Sequence, residues 1–294
     1  MRLAIIGYTG QLARALKART DAKNIQSTYY NRSDLDLTDP PQIVEAFIEQ
    51  LDVDAVIIAA AYTAVDKAES DKDNAYKANA TTPEIIAKIC ARKNIALIHI
   101  STDYVFDGLG QNGPYTHLSP TSPINIYGSS KRSGEISVLK YHKQAAVLRT
   151  SWVFDGIGAN FMTTMLRLGA IKDSLNVVAD QIGRPTYAGH LADAILIMLP
   201  SVISGKASGL YHVTGGGNPI SWANFARAIF ELSNDQRQHH VNVTDIPTTS
   251  YPTPAKRPAY SVLNLHRYES AFTALPDWQS GLKLAYNEWL SSNS

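Results

Sequence analysis

The sequence has one cysteine and no long apolar run, and both absences limit where the protein works. Cys90 cannot form a disulfide within the chain, and the apolar helical pattern around it predicts a buried thiol. No apolar run reaches the roughly 18 residues that a membrane span needs. The apolar run at the N-terminus is short and no cleavage region follows it, so we expect no signal peptide. We therefore predict a cytoplasmic protein without a membrane partner.

The charges show no bias toward one sign. The 294 residues include 27 Lys and Arg against 26 Asp and Glu, without a long run of either sign. A surface for nucleic acid or an anionic membrane would need clustered basic residues. We therefore expect no nucleic-acid partner. The length is sufficient for one large α/β domain or two closely packed lobes.

Short apolar runs alternate with helical patterns through the first half of the chain. Strands are predicted at residues 3–6, 25–30, 54–60, 95–100 and 146–150. Continuous apolar strands joined through helices predict right-handed crossovers and a parallel sheet that is buried on both faces. Ligands of such sheets collect at the carboxyl ends of the strands. The pattern therefore predicts an α/β fold with a doubly wound parallel sheet of the Rossmann type.

A glycine-rich turn follows the first predicted strand. Gly7, Gly10 and Ala13 give the spacing G-x-x-G-x-x-A, which lets the backbone approach a pyrophosphate at the start of a helix. An ordinary glycine turn is the alternative. Small side chains at the end of the third strand leave room for a flat cofactor; they are Ala59, Ala60 and Ala61.

The end of the second strand bears on which dinucleotide is bound. An acid there would accept the ribose 2′-hydroxyl of NADH, whereas an arginine suits the 2′-phosphate of NADPH. Asn31 and Arg32 occupy these positions and the first acid is Asp34. The sequence therefore favours NADPH, with NADH as a second cofactor, unless Arg32 is simply a solvated loop charge.

Tyr127 and Lys131 lie four residues apart at the start of a predicted helix and so share one face. A nearby ammonium lowers the pKa of a phenol from about 10, which suits general acid catalysis near neutral pH. A solvated helix face is the alternative. Thr102 and Asp103 directly follow the fourth strand. We expect both pairs at the same edge of the sheet.

From Asp155 onward the strand–helix alternation becomes irregular, although residues 209–213 form one further predicted strand. We expect residues 1–154 to form the NADP(H)-binding domain, with its sheet completed by later segments. Residues 155–294 are predicted to form mainly a smaller substrate lobe, interleaved with the first domain. No low-complexity linker separates the two halves.

With these motifs assembled, the chain resembles the dTDP-4-dehydrorhamnose reductase family of the extended short-chain dehydrogenase/reductase superfamily. The resemblance runs essentially end to end. Its specific motifs are residues 7–12, 59–70, 101–108, 122–128, 149–152, 180–186 and the Tyr-Pro-Thr-Pro loop 251–254.

The resemblance implies roles for individual residues. The pyrophosphate region of the cofactor would contact Gly10, Gln11 and Leu12, the adenine would contact Asp36 and Leu37, and Ala61, Tyr62 and Thr63 would line the cofactor, with Tyr127 and Lys131 completing its site. Thr102, Asp103 and Trp152 would contact the sugar nucleotide. Some relatives bridge a dimer through magnesium held by glutamates, but Ala15 and Gly189 stand at two of those positions. We therefore expect no metal, in a monomer or a homodimer.

The activity that the resemblance implies is NADPH-dependent reduction of the C4 keto group of dTDP-4-dehydro-β-L-rhamnose. The product would be dTDP-β-L-rhamnose, in the last step of its biosynthesis. Tyr127 would protonate the forming alkoxide, Thr102 would hydrogen-bond the same oxygen and Lys131 would hold the nicotinamide ribose. Trp152, Asn160 and Phe161 could frame the sugar and the base, and Arg184 or Arg257 could bind the diphosphate. The alternatives are a core aromatic for Trp152 and surface charges for the two arginines.

Two other functions remain open from the sequence. One is a reductase of a related nucleotide 4-keto-6-deoxysugar. The other is a non-catalytic, NADP-binding regulatory subunit of the same fold, against which the presence of Thr102, Tyr127 and Lys131 together argues.

Overall fold

The computed structural model describes residues 1–110, 113–237 and 240–293. Its strands are β1 (Arg2–Ile6), β2 (Gln26–Tyr30), β3 (Ala55–Ile58), β4 (Ala96–Thr102), β5 (Ala146–Thr150), β6 (Val153–Phe154), β7 (Ser174–Val178), β8 (Ile182–Gly183), β9 (Thr186–Tyr187), β10 (Gly209–His212), β11 (Ile220–Ser221) and β12 (Asn242–Ile246).

Helices connect these strands along the chain. They are α1 (Gln11–Ala22), α2 (Pro41–Glu49), α3 (Val65–Ala68), α4 (Lys72–Tyr76), α5 (Thr82–Lys93), α6 (Ile126–Tyr141), α7 (Phe161–Gly169), α8 (Ala188–Ile203), α9 (Trp222–Arg237), α10 (His266–Ala271) and α11 (Trp278–Asn293). A π-helical segment (Lys77–Thr81) joins α4 to α5, and Asp103–Val105 and Thr248–Ser250 form single 3₁₀ turns. None of the helices in these described ranges is long and apolar enough to cross a membrane.

The central sheet has the strand order β10, β5, β4, β3, β1, β2, and every neighbouring pair is parallel. The chain moves from β1 outward to β2 and then returns to place β3 on the other side of β1. Such a reversal opens a crevice at the carboxyl ends of the strands, where ligands of these folds bind. The predicted class, an α/β doubly wound parallel sheet, is confirmed.

The two faces of the sheet are covered because alternate side chains of each strand point in opposite directions. Ile5 and Ile57 pack on the side of α1 and α8, whereas Ile6 and Ile58 pack on the side of α2, α5 and α6. These four side chains are at most 1% exposed. Complete burial of one such side chain contributes roughly 1.5–3 kcal/mol, so both helix layers are firmly held. Cys90 is buried in the second layer, as predicted.

A separate apolar cluster lies in the second half of the chain. It joins α7, α9 and α11 to the small parallel sheet of β7 and β12 through side chains such as Met162, Leu175, Phe225 and Leu282. Strand β10 instead joins the central sheet, and α8 packs on that sheet beside α1. The division of the chain at residue 154 stays a prediction.

Candidate active site

A cavity of about 540 Å³ lies at the carboxyl ends of β1, β3, β4 and β5. The structure brings twelve of the predicted site residues together in its wall: Gly10, Gln11, Leu12, Ala59, Ala60, Ala61, Thr63, Thr102, Asp103, Tyr127, Lys131 and Trp152. Residues that sequence reasoning missed complete the wall, among them Thr9, Arg14, Val65, Tyr104, Thr150 and Trp222. The cavity therefore lies where the strand pattern places a ligand.

The turn between β1 and α1 brings backbone close to the cavity. Gly7 has φ +134°, which L side chains rarely adopt, and a Cβ there would lie 3.2 Å from the backbone nitrogen of Ala60. The first backbone N–H groups of a helix have no partner within the helix and attract anions. Gly7 therefore permits the tight turn, and the start of α1 borders the cavity at Gly10 and Gln11.

Several polar atoms of the wall fit a polar ligand such as a dinucleotide. Gln11 Oε1, Arg14 Nε and Thr150 Oγ1 are buried without a hydrogen-bond partner. Buried polar atoms in native proteins nearly always have a partner. An anionic, hydroxyl-rich molecule would pair with the guanidinium, the amide and the hydroxyl. The residues therefore fit NADPH.

A buried asparagine that sequence reasoning also missed binds the backbone directly after Ala59, Ala60 and Ala61. Asn79, in the π-helical segment, accepts from the backbone nitrogen of Tyr62 at 2.9 Å and donates to its carbonyl oxygen at 3.0 Å. It also donates to Ser130 Oγ at 3.0 Å, beside Lys131. In the sequence Asn79 lies between Ala78 and Ala80, and no local pattern distinguishes it from a surface asparagine. The structure places it in a π-helical turn, a feature that recurs at functional sites.

The predicted adenosine residues lie at the end of β2, outside the cavity wall. Arg32 is largely exposed and its Nε lies 2.6 Å from Asp36 Oδ2. The side chain of Asn31 accepts from the Ser33 backbone at 2.7 Å. Leu37 is buried in the sheet-covering layer. Arg32 and Asn31 thus border β2 as predicted, and their contact with a cofactor stays a prediction.

Thr102 and Asp103 end β4 in a compact hydrogen-bonded turn. Thr102 Oγ1 donates to Asp103 Oδ1 at 3.0 Å and accepts from the Tyr104 backbone at 3.2 Å. Burial raises the pKa of Asp103 to about 6 despite these contacts. The carboxyl therefore carries a proton in part of the molecules in mildly acidic solution.

Tyr127 and Lys131 lie in the first two turns of α6, which Asn125 caps by accepting from Gly128 N at 2.7 Å. The ammonium of Lys131 donates to the Ile100 carbonyl at 2.6 Å, and burial lowers the pKa of Lys131 to about 8. The two side chains therefore face the cavity from the helix that sequence spacing predicts.

The expected lowering of the tyrosine pKa is wrong for this structure. Burial raises the pKa of Tyr127 to about 12, and the Asp103 carboxylate adds to the rise, although the Thr102 hydroxyl opposes it. The physical reason is that a phenolate would lie in low-dielectric surroundings, while the Lys131 ammonium is bound to a backbone carbonyl. The phenol is consequently held in its protonated form, the form that donates a proton.

Trp152 projects into the cavity from a strained position after β5. Its φ is +49°, and its indole stacks on Trp222 with ring centroids 3.5 Å apart. A Cβ on Gly183 would lie 2.6 Å from the Trp152 ring. No local sequence signal identifies Trp222, because the stack joins two elements that are 70 positions apart.

The other predicted substrate residues lie outside the cavity wall. Asn160 caps α7 by accepting from Thr163 N at 3.1 Å, and Phe161 packs on Trp222 with ring centroids 4.5 Å apart. Arg184 Nη1 donates to the Leu263 carbonyl at 3.0 Å. Their roles toward the substrate stay predictions.

The predicted diphosphate ligand Arg257 is also outside the wall. Its guanidinium forms an ion pair with Asp66, with Nη2 and Oδ2 2.7 Å apart, and this contact raises its pKa. Arg257 Nη1 also donates to Thr253 Oγ1 and the Ala255 carbonyl. Contact between Arg257 and a diphosphate likewise stays a prediction.

The fold and the cavity define an oxidoreductase of the short-chain dehydrogenase/reductase class, with a threonine, a tyrosine and a lysine at the edge of a dinucleotide-binding sheet. The family model described as the RmlD substrate binding domain matches residues 1–291. The chain belongs to the dTDP-4-dehydrorhamnose reductase family, which confirms the resemblance read from its motifs.

Relatives resemble this chain over nearly its whole length. The dTDP-4-dehydrorhamnose reductase of Aggregatibacter actinomycetemcomitans is 41% identical and that of Sinorhizobium fredii 38%; the matches cover 96% of this chain and 97% and 96% of the relatives. A solved dTDP-4-dehydrorhamnose reductase from Clostridium acetobutylicum has a TM-score of 0.90 at 36% identity, covering 99% of this chain and 100% of that one. The Bacillus anthracis enzyme, solved in complex with NADP, has a TM-score of 0.88 at 35% identity, covering 98% and 99%.

Proposed function

We propose that this protein is a dTDP-4-dehydrorhamnose reductase that uses NADPH to reduce the C4 keto group of dTDP-4-dehydro-β-L-rhamnose to dTDP-β-L-rhamnose. The observation that carries the proposal is the meeting of Thr102, Tyr127 and Lys131 in one cavity at the carboxyl edge of the sheet. Relatives of 38–41% identity that carry this name support the substrate, and the NADP complex of the Bacillus anthracis enzyme supports the cofactor.

Tyr127 is the proton donor in this proposal. NADPH, when bound, supplies the hydride that adds to the carbonyl carbon, and negative charge then develops on the carbonyl oxygen. The phenol of Tyr127 donates its proton to that oxygen, so that the products are the alcohol and NADP⁺. Burial raises the pKa of Tyr127 and so keeps the phenol in the protonated form that can donate to the alkoxide.

Thr102 and Lys131 support this transfer. The Thr102 hydroxyl would turn from Asp103 Oδ1 and donate to the developing alkoxide, which places two donors where charge appears. The ammonium of Lys131 would donate to the nicotinamide ribose from its position beside the Ile100 carbonyl. Both groups are buried and set on regular elements, so little motion is needed at the moment of reaction.

The remaining predicted residues divide between cofactor and sugar nucleotide. Gly7, Gly10, Gln11 and Leu12 bind the pyrophosphate of the cofactor. Asn31 and Arg32 bind its 2′-phosphate, and Asp36 and Leu37 contact its adenine. The side of the cavity against which the cofactor lies is formed by Ala59, Ala60, Ala61, Tyr62 and Thr63. Asp103 and Trp152 contact the sugar nucleotide. In this proposal the second apolar cluster belongs to the substrate lobe, and the cytoplasmic enzyme works as a monomer or a homodimer.

We propose a reaction that does not require a metal ion. Within the described residues no group of three or more His, Cys, Asp or Glu side chains is arranged to hold a metal ion. Ala15 and Gly189, the positions that the resemblance aligns with metal-binding glutamates, have side chains that cannot bind a metal. The protonated Tyr127 and the Thr102 hydroxyl supply the stabilisation of charge instead.

Coupled turnover tests the proposal. dTDP-4-keto-6-deoxyglucose is supplied with its 3,5-epimerase and NADPH, NADPH oxidation is followed, and the product is identified by NMR. We expect dTDP-L-rhamnose only when the epimerase is present, and no product with Tyr127→Phe on the same time scale. Reduction of the sugar only without the epimerase would assign a different 4-keto-6-deoxysugar. Binding of NADPH without oxidation in either mixture would indicate a regulatory subunit.

A further inference from the structure

A buried carboxylate lies one helical turn beyond Lys131. Glu135 Oε1 accepts from Arg149 Nε at 2.7 Å and from Ser101 Oγ at 2.7 Å, and its Oε2 accepts from Arg149 Nη2 at 2.7 Å. The side chains of Glu135 and Arg149 are 0% and 2% exposed. This ion pair is therefore shielded from water and from screening salt.

A buried ion pair is a weak source of stability, because the cost of desolvating both charges offsets their attraction. Apolar side chains of similar volume would fill the same space. The contacts of this pair instead connect it to the residues of the proposed reaction. A role in placing those residues accounts for the pair better than a role in stability alone.

The pair joins α6 to the two strands that end at the cavity. Ser101 and Arg149 are direct partners in the β4–β5 register, and Ser101 immediately precedes Thr102. The Ile100 carbonyl on the same strand accepts from Lys131. Glu135 therefore ties the helix that carries Tyr127 and Lys131 to the strand end that carries Thr102.

Glu135 is also the carboxylate that opposes the loss of charge on Lys131. Burial lowers the pKa of Lys131, and the negative charge of Glu135 raises it, for a balance of about 8. On β4, His99 is fully buried, and burial together with the Lys131 charge lowers its pKa well below the ordinary value, so it is neutral. Without Glu135, Lys131 would lose the negative charge that raises its pKa, and the buried Arg149 cation would lose its carboxylate partner.

Other charged groups near α6 have hydrogen-bond partners other than Glu135 and Lys131. Glu84 of α5 binds Lys88 and Ser137, and Asp66 of α3 binds Arg257. Glu69 accepts from the first N–H of α6, and Asp71 binds Tyr62 and Asn74. The exposed charges of α4 and the π-helical segment are Lys72, Asp73 and Lys77. On the cavity side, the other titratable or charged groups of the wall are Arg14, Asp103, Tyr104 and Tyr127.

We propose that Glu135 is a positioning residue for the reductase reaction: held by Arg149 and Ser101, its carboxylate fixes α6 against β4 and keeps Lys131 charged at the cofactor side of the cavity. The inference rests on the proposed function for its effect on turnover, whereas its effect on NADPH binding does not involve the sugar. Glu135 acts through Lys131 and does not contact the reacting atoms.

The test compares three variants by the pH at which NADPH binding weakens, measured from nicotinamide fluorescence between pH 7 and pH 10. Glu135→Gln leaves Arg149 unopposed, so we expect the midpoint to move down by about one pH unit or more. Arg149→Met leaves the carboxylate unopposed, so we expect the midpoint to move up. The double variant leaves no unpaired buried charge, so we expect its midpoint to lie between those of the two single variants. The alkaline limb of kcat/KM should move in the same directions.

Opposite displacements separate an electrostatic role from a purely structural one, because general loosening would move both single variants in the same direction. Glu84→Gln, one helix away, is the matched control and should leave the midpoint unchanged. Thermal unfolding of each variant checks folding, and the double variant keeps the test decisive if a single variant does not fold. Equal displacements, or an unchanged midpoint in Glu135→Gln and the double variant, would overturn the inference. The wild-type protein could bind NADPH with this pH dependence and yet not reduce the keto sugar. That result would overturn only the proposed function.

Discussion

Asp66 and Arg257 are 191 residues apart in the chain and form an ion pair through two hydrogen bonds. Arg257 Nη1 lies 2.9 Å from Asp66 Oδ1 and Nη2 lies 2.7 Å from Oδ2. Asp66 Oδ1 also accepts from Ala255 N at 3.1 Å. Asp66 belongs to α3, which begins shortly after Ala61, and Arg257 follows the proline-rich loop 251–254. The pair therefore fastens that loop to the cofactor side of the cavity.

The two members of this pair should behave as one unit when they are replaced. We expect Asp66→Asn and Arg257→Met each to raise the KM for the sugar nucleotide several-fold, and the double variant to be no worse than either. The direct stabilisation should be small, about 1 kcal/mol or less, because both side chains are partly exposed. If Arg257→Met raised this KM while Asp66→Asn lowered it, Arg257 would be a diphosphate ligand competing with Asp66, as its sequence position suggested.

Removal of the phenol hydroxyl from Tyr127 should abolish efficient proton donation. We expect Tyr127→Phe to lower kcat by a factor on the order of 10² or more. The ring remains to pack edge-on against Tyr104, with which it has a centroid distance of 5.7 Å, so thermal unfolding should change little. Steady-state turnover with saturating NADPH measures the effect. Unchanged kcat in a folded variant would reject Tyr127 as the acid.

Lys131→Met should weaken NADPH binding and should change the free energy of unfolding in a way that depends on pH. The pKa of Lys131 falls from its ordinary value of 10.5 to about 8 in the folded protein. Between these values the unfolded chain binds more protons, so wild-type stability gains up to about 3 kcal/mol as the pH rises from 8 to 10.5. Lys131→Met lacks this gain, and its stability relative to wild type should decline over the same range.

Urea unfolding of both proteins at pH 7 and pH 10 measures that difference directly. NADPH affinity of Lys131→Met should be reduced at neutral pH, where the wild-type side chain is charged. A constant stability difference between the two proteins at both pH values would show that the Lys131 pKa is not depressed.

The stack of Trp152 on Trp222 should control sugar-nucleotide binding without affecting the cofactor. Their planes are 7° apart, so we expect the stacked pair to contribute a circular dichroism signal. Trp222→Leu should abolish that signal and raise the KM for the sugar nucleotide about tenfold, the value of one aromatic contact of roughly 1.5 kcal/mol. NADPH affinity serves as the internal control. A weakened NADPH affinity with normal sugar binding would contradict this assignment.

The choice of NADPH over NADH should depend on Arg32. Its side chain is 81% exposed, so Arg32→Ala should not affect folding. We expect about tenfold weaker use of NADPH with little change for NADH, because one charge-assisted contact to the 2′-phosphate is lost. Arg92→Ala removes another exposed arginine, paired with Glu49, and is the control. Equal efficiency of the wild type with both cofactors would refute the preference.

The amino-acid sequence by itself determined the sheet, the cofactor turn and the tyrosine–lysine helix. Apolar runs such as that of β3 must be buried on both faces, and Gly7, with φ +134°, permits the turn that the glycine motif predicts. The spacing of Tyr127 and Lys131 placed both on one helix face. These features depend on neighbouring residues, so the local sequence contains the information that specifies them.

The tertiary structure alone decided the surroundings of those groups. The stack of Trp222 on Trp152 and the ion pair of Arg257 with Asp66 join residues that are distant in the chain. No local sequence pattern predicts either contact. The pKa of Tyr127 rises instead of falling because it depends on burial and on where the Lys131 ammonium is bound. Charge energies depend on the distances and the dielectric of the folded molecule, which residue spacing does not specify.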